Sequence, residues 1–194
     1  MSRPVAVAIT GGIGAGTSEA LAAFKRHGAA TVSSDLIVHH LLRRDEVKAA
    51  IVARLGHGVV SPEGEIDRGA LGTVVFNDRD ALEWLEELLH PLVSAEYLRW
   101  RDDLAALPDP PKVCVTEVPL LYETGGQERF DKVVVITAPT KLRRARSHVA
   151  TEDREGRFLP DAEKLKLADY SFKNTGSIEE LDAFVASVMH DLSL

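Results

Sequence analysis

Eight residues near the start of the chain constrain it more than any other stretch. Gly11-Gly12-Ile13-Gly14-Ala15-Gly16-Thr17-Ser18 follows the phosphate-loop pattern G-x-x-x-x-G-K-[ST] except that Thr17 stands where the pattern has lysine. The run before it, Val5-Ala6-Val7-Ala8-Ile9, is short and apolar, as suits a strand buried on both faces. Residues 18–27 put Leu21 and Phe24 on one helical face, and Gly28 stops the helix. Strand, glycine turn and helix in that order make an anion cradle. Glycines let the backbone turn tightly and approach a phosphate. The helix start adds inward N–H groups and its positive end. Gly11, Gly12, Ile13, Gly14, Ala15, Gly16, Thr17 and Ser18 are therefore the candidate nucleotide-binding residues, and the Ser18 hydroxyl is the candidate Mg²⁺ ligand. A purely structural turn is the competing reading.

With 194 residues the chain can bury a good core in one α/β domain. Its single cysteine, Cys114, excludes an intramolecular disulfide and suits a reducing cytoplasm. A net charge of −7 argues against broad nucleic-acid binding. The basic cluster Lys141, Arg143, Arg144 and Arg146 is still able to act locally on a phosphorylated small molecule. No apolar run reaches membrane-spanning length, and the immediate entry into a strand reads as the absence of a signal peptide.

Apolar runs at residues 30–33, 113–117 and 133–136 predict further strands, with a last one near 169–172. Helical spacing predicts helices over 36–42, 47–55, 70–76, 81–100, 140–148 and 163–167. Pro91 is expected to kink or divide the longest. Ser177-x-x-Glu180 predicts a capping box that opens a final helix. Strands alternating with helices predict a mainly parallel sheet with helices on both faces. Residues 62–108 hold helices without a strand and read as an insertion beside the sheet. The basic, polar stretch near 141–160 reads as a second insertion and a candidate lid.

Val7 through Gly16 is followed along the chain by Ser33-Ser34-Asp35, Gly64-Glu65-Ile66-Asp67-Arg68, Leu71, Phe76 and Leu89-His90-Pro91. Then come Val118-Pro119-Leu120-Leu121-Tyr122-Glu123, Ala168-Asp169-Tyr170 and Asn174-Thr175-Gly176-Ser177. In these motifs and their order the chain resembles the dephospho-CoA kinase family. The resemblance implies a P-loop nucleoside-triphosphate-hydrolase-like fold in a single kinase domain, with a core of residues 1–61, 109–140 and 168–194. A helical CoA-binding insertion would span 62–108, and a lid 141–167. The implied reaction is ATP-dependent phosphorylation of the ribose 3′-hydroxyl of dephospho-CoA.

Carried over residue by residue, the resemblance places Asp35 near the substrate hydroxyl, where a carboxylate accepts the proton or orients the hydroxyl. Ser33 replaces a first aspartate of the same motif. Arg144 matches a lid arginine that would clamp the transferring phosphoryl group. His148 falls where the family has a further arginine, Phe158 where it often has glutamine, and the lid is shortened between Arg146 and Arg154. His90 and Pro91 would lie near the CoA groove, or they mark a helix break. Asp35 could equally cap a helix beginning at Leu36. Glu117, at a strand end, either acts through water on Mg²⁺ and borders the substrate, or is a satisfied structural carboxylate.

Thr17 supplies a hydroxyl but no charge, so turnover is expected to suffer more than ATP affinity. Three readings follow: an active dephospho-CoA kinase in which another cation such as Arg144 partly replaces the lysine, an impaired nucleotide- or CoA-binding relative, and a P-loop kinase with another small acceptor. If the protein binds both ligands, restoring lysine is expected to raise the rate by orders of magnitude.

Overall fold

A computed structural model describes residues 3–146 and 159–193. The expectations for His148, Arg154 and Phe158, and for the middle of the lid, lie outside these residues. The chain divides into two compact units, one of Met1–Ser33 and Trp100–Leu194, the other of Ser34–Arg99.

The first unit is built on five parallel strands: β1 (Val5–Gly11), β2 (Ala30–Ser33), β3 (Val113–Glu117), β4 (Lys132–Thr137) and β5 (Tyr170–Lys173). Their order is β2-β3-β1-β4-β5, which puts β1 at the centre. Alternation along each strand sends side chains to opposite faces. On one face Val7, Ile9, Val113, Val115, Val134 and Ile136 pack with Ala20, Ala23 and Phe24 of α1 (Thr17–Arg26) and with Leu181, Val185 and Val188 of the last helix. On the other, Ala8, Val133 and Val135 pack with Leu121, Val118, Tyr122 and Phe130. Each large apolar side chain removed from water this way contributes about 1.5–3 kcal/mol. Phe172 of β5 and Phe184 of the last helix stack with ring centroids 5.0 Å apart. Cys114 is buried, and burial pushes its thiol up to about 11, as a core residue rather than a reactive one requires.

Two acidic residues pin the strand ends. Asp131 accepts from both terminal guanidinium nitrogens of Arg3, at 2.7 and 2.8 Å, and from the Ala6 N–H at 2.8 Å. Asp169 accepts from Lys132 Nζ and the Val133 N–H, each at 2.8 Å.

The second unit contains α2 (Ser34–Leu41), α3 (Asp45–Leu55), α4 (Arg68–Asn77) and most of α5 (Arg79–Ala105), whose end belongs to the first unit. Asp67 caps α4 by accepting from Gly69 N and Ala70 N. Arg44 reaches Glu96 at 2.6 Å, and Lys48 reaches Glu65 at 3.2 Å. Val60 and Ile66 form an antiparallel bridge around the expected turn at 61–64.

Three local expectations need correction. Pro91 does not divide α5, which runs through it for 27 residues. Proline removes one helical hydrogen bond, and packing of Leu85, Leu89, Val93 and Tyr97 on the buried side holds the helix across the gap. Asp35 does not cap a helix starting at Leu36, because α2 already begins at Ser34. The capping box at the last helix is half formed: Ser177 Oγ accepts from Glu180 N at 3.2 Å, but the Glu180 carboxylate takes the Thr175 hydroxyl instead of reaching back.

In the first unit β4 leads into α6 (Thr140–Arg146), while α7 (Asp161–Leu167) precedes β5 and α8 (Ile178–Leu192) ends the chain.

Candidate active site

The loop between β1 and α1 sits at the carboxyl end of the central strand, where open parallel sheets take their ligands. Gly16 occupies the cap position of α1 with φ +102° and ψ 24°, a left-handed geometry that glycine adopts without a Cβ clash. A Cβ there would also run into the side-chain amide of Asn174. Asn174 is buried just after β5; it donates to the Ala15 carbonyl at 2.9 Å and accepts from Gly176 N at 3.1 Å. The far end of the loop is thus fixed to the turn before α8.

Thr17 and Ser18 open α1 and both face Glu117, the last residue of β3. Thr17 Oγ1 donates to Glu117 Oε1 at 2.5 Å, and Ser18 Oγ donates to the same oxygen at 3.2 Å. The register explains the meeting: Glu117 lies beside Ile9 of β1 and Ser33 of β2, so the strand end points its carboxylate at the helix start. A hydroxyl and a carboxylate this close form an oxygen-rich corner of the kind Mg²⁺ accepts, with water and phosphate oxygens completing the shell.

Arg143 of α6 lies on the loop from the other side. Its Nε donates to the Ile13 carbonyl at 3.1 Å. A Cβ on Gly12 would meet its Cζ, Nη2 and Nη1 at 2.8, 2.9 and 3.0 Å, so the guanidinium lies face-on against Gly12. Its Nη1 stands 3.3 Å from Asp161 of α7. Arg144, its neighbour, is exposed on α6. Beside the end of the loop, a cavity of about 270 Å³ is lined by Gly16, Glu19, Arg146, Asn174, Gly176 and Ser177, with Ile178 and Leu181 behind.

A family model described as dephospho-CoA kinase matches residues 5–180. The chain belongs to the dephospho-CoA kinase family. A curated dephospho-CoA kinase of Symbiobacterium thermophilum is 36% identical over 187 residues, covering 92% of this chain and 77% of that one. A crystal structure from Thermus thermophilus superposes with a TM-score of 0.78 at 30% identity, covering 98% of this chain and 99% of the other. The dephospho-CoA kinase of Campylobacter jejuni gives 0.69 at 28%, covering 99% of each. The fold is that of the P-loop kinases, and the family is one of phosphotransferases.

Within this dephospho-CoA kinase family member, the structure brings Gly11 through Ser18 together with Glu117. It places Asp35, His90 and Pro91 in the second unit, all three exposed, with Asp35 in the first turn of α2 and His90 and Pro91 inside α5. Sequence reasoning gave no role to Asn174, the anchor of the loop, and took Arg143 and Arg146 only as members of a basic cluster, whereas Arg143 lies on the glycines and Arg146 in the cavity wall. Asn174-Thr175-Gly176 carried a signal, since an asparagine two residues before a glycine is a ready Asx turn. Nothing in the run Arg143-Arg144-Ala145-Arg146 shows which side chain turns toward the loop.

Proposed function

We propose that this chain transfers the γ-phosphoryl group of ATP to the ribose 3′-hydroxyl of dephospho-CoA, as the names of its relatives suggest. The observation that carries the reading is the corner formed by Thr17, Ser18 and Glu117 at the mouth of a glycine loop, in a chain of this family. The loop N–H groups and the α1 terminus would hold the β- and γ-phosphates. Ser18 and Glu117 would hold Mg²⁺, which neutralises phosphate charge when bound. The cavity beside Gly16 and Asn174 is suited to the nucleoside end of ATP.

In the reaction the 3′-oxygen bonds to the γ-phosphorus while the bond from that phosphorus to the bridging oxygen breaks and ADP leaves. The hydroxyl proton passes to a carboxylate, assigned to Asp35, and then to water. Arg144 would clamp the transferring group once substrates are bound. His90, Pro91 and the helical segment 62–108 would receive the CoA portion. The segment 141–167 would act as lid. We place the reaction in the cytoplasm; no helix among the described residues is long and apolar enough to cross a membrane.

A second reading rests on one observation. Thr17 carries no charge and its hydroxyl donates to Glu117 rather than standing free for phosphate, so a slow or inactive nucleotide binder is the alternative. Coupled measurement of ADP release with dephospho-CoA separates the two. Turnover supports the kinase, whereas ATP binding without turnover supports the alternative. Release of ADP with another small alcohol, and none with dephospho-CoA, would move the substrate assignment.

A further inference from the structure

We propose that Arg143 supplies from α6 the positive charge that a lysine at position 17 would otherwise bring to the nucleotide phosphates. This rests on the kinase reading above and adds the residue that lets it work without the lysine.

Three observations carry it. The Arg143 guanidinium lies face-on against Gly12, and its Nε is held by the Ile13 carbonyl at 3.1 Å. The backbone of Arg143 is also pressed onto the loop: a Cβ on Gly14 would meet its carbonyl oxygen at 2.6 Å and its Cα at 3.1 Å. Its side chain is only 13% exposed, unlike that of Arg144 beside it. A long cationic side chain loses much conformational freedom when packed this way, and the loop fixes its orientation twice. At position 17, meanwhile, the hydroxyl is bound to Glu117.

The chemistry matches the vacancy in charge. As the bond from the γ-phosphorus to the bridging oxygen breaks, negative charge collects on the departing ADP. A guanidinium is permanently protonated and offers paired donors to phosphate oxygens. Held in advance on the loop, it costs no reorganisation when that charge develops. No bond to Arg143 forms or breaks. Asp161, 3.3 Å from Nη1, sets the same guanidinium from the α7 side.

The test is a double-mutant cycle on the full chain, with Arg143→Gln, Arg143→Lys and Thr17→Lys, alone and combined. Arg143→Gln keeps a donor of similar reach but no charge, and is expected to lower kcat by about 10². Arg143→Lys should recover part of the loss. Thr17→Lys combined with Arg143→Gln should come back to within a few-fold of Thr17→Lys alone. Equal losses from Arg143→Gln in the threonine and lysine backgrounds would make Arg143 a brace for the loop and overturn the proposal, as would no loss at all. Should the wild-type chain prove unable to turn over dephospho-CoA, ATP and AMP affinities give the reading instead. Arg143→Gln is then expected to weaken ATP about tenfold and leave AMP unchanged, with Thr17→Lys restoring ATP. Equal weakening of both nucleotides, or of neither, would overturn the proposal in that case too.

Discussion

Thr17 occupies the lysine position of the glycine loop and gives its hydroxyl to Glu117 across 2.5 Å, tying the first residue of α1 to the last residue of β3. Position 17 therefore brings an uncharged hydroxyl to the loop, and that hydroxyl is tied to a carboxylate.

Thr17→Lys is consequently expected to help less than the sequence alone suggests. With Arg143 already on Gly12, the gain in kcat should stay below about tenfold, against roughly 10² in the Arg143→Gln background. Steady-state kinetics at saturating ATP would show it. A gain of several hundred-fold in the wild-type background would mean that no other cation serves the loop.

Gly16→Ala should damage folding and nucleotide binding together. The residue sits at φ +102°, and a Cβ there collides with the Asn174 amide that anchors Ala15. Holding a non-glycine residue in the left-handed region costs about 1–3 kcal/mol before the collision is counted. Denaturant unfolding and ATP titration on the same variant would show both losses.

Lys164 of α7 is fully buried and pairs with Glu123 at 2.9 Å, and the same carboxylate oxygen accepts from Leu159 N at 2.7 Å. Lys164→Ala leaves that carboxylate without its cation and is expected to cost about 3–5 kcal/mol. Adding Glu123→Gln should recover part of this, because the amide oxygen still accepts from Leu159 and carries no charge. Chemical denaturation of the two variants is the check, and a double variant weaker than the single one would refute the ion-pair account.

Acid should weaken the chain through three carboxylates. Arg3, at hydrogen-bonding distance, holds Asp131 below the usual aspartate range. Burial alone would raise Asp169, but Lys132 and the Val133 N–H outweigh it and hold it low. Arg44, with Arg99, does the same for Glu96 against the pull of burial. Each folded value lies below its unfolded one, near 3.9 for Asp and 4.3 for Glu. Between the two values the unfolded chain binds more protons, so stability falls as pH falls. The contribution is complete above about pH 5 and is lost progressively below pH 4. Thermal melts from pH 7 to pH 3 should show the decline, and it should be smaller in Asp131→Asn.

Much of this was legible in the residues. Residues 5–9 and 113–117 read as strands because each run is too short for a helix, and they form in β1 and β3. The strand at Ala30–Ser33 came out at its expected bounds. The departures share a cause, which is that tertiary placement decides among locally equal choices. Pro91 ends a helix on propensity, yet α5 is packed on both sides of it. Glu180 is free to choose between the Ser177 backbone and the Thr175 hydroxyl, and takes the latter. Arg143 and Arg144 are equivalent in composition, and only the seat of α6 against Gly12 and Gly14 separates them.

The central claim is phosphoryl transfer to dephospho-CoA by a loop without its lysine. ADP release by the wild-type chain, followed with ATP and Mg²⁺ in the presence and absence of dephospho-CoA, tests it most directly. The account predicts release that depends on dephospho-CoA, with a product heavier by one phosphoryl group on the ribose 3′-oxygen. Tight ATP binding with no dephospho-CoA-dependent release would contradict it.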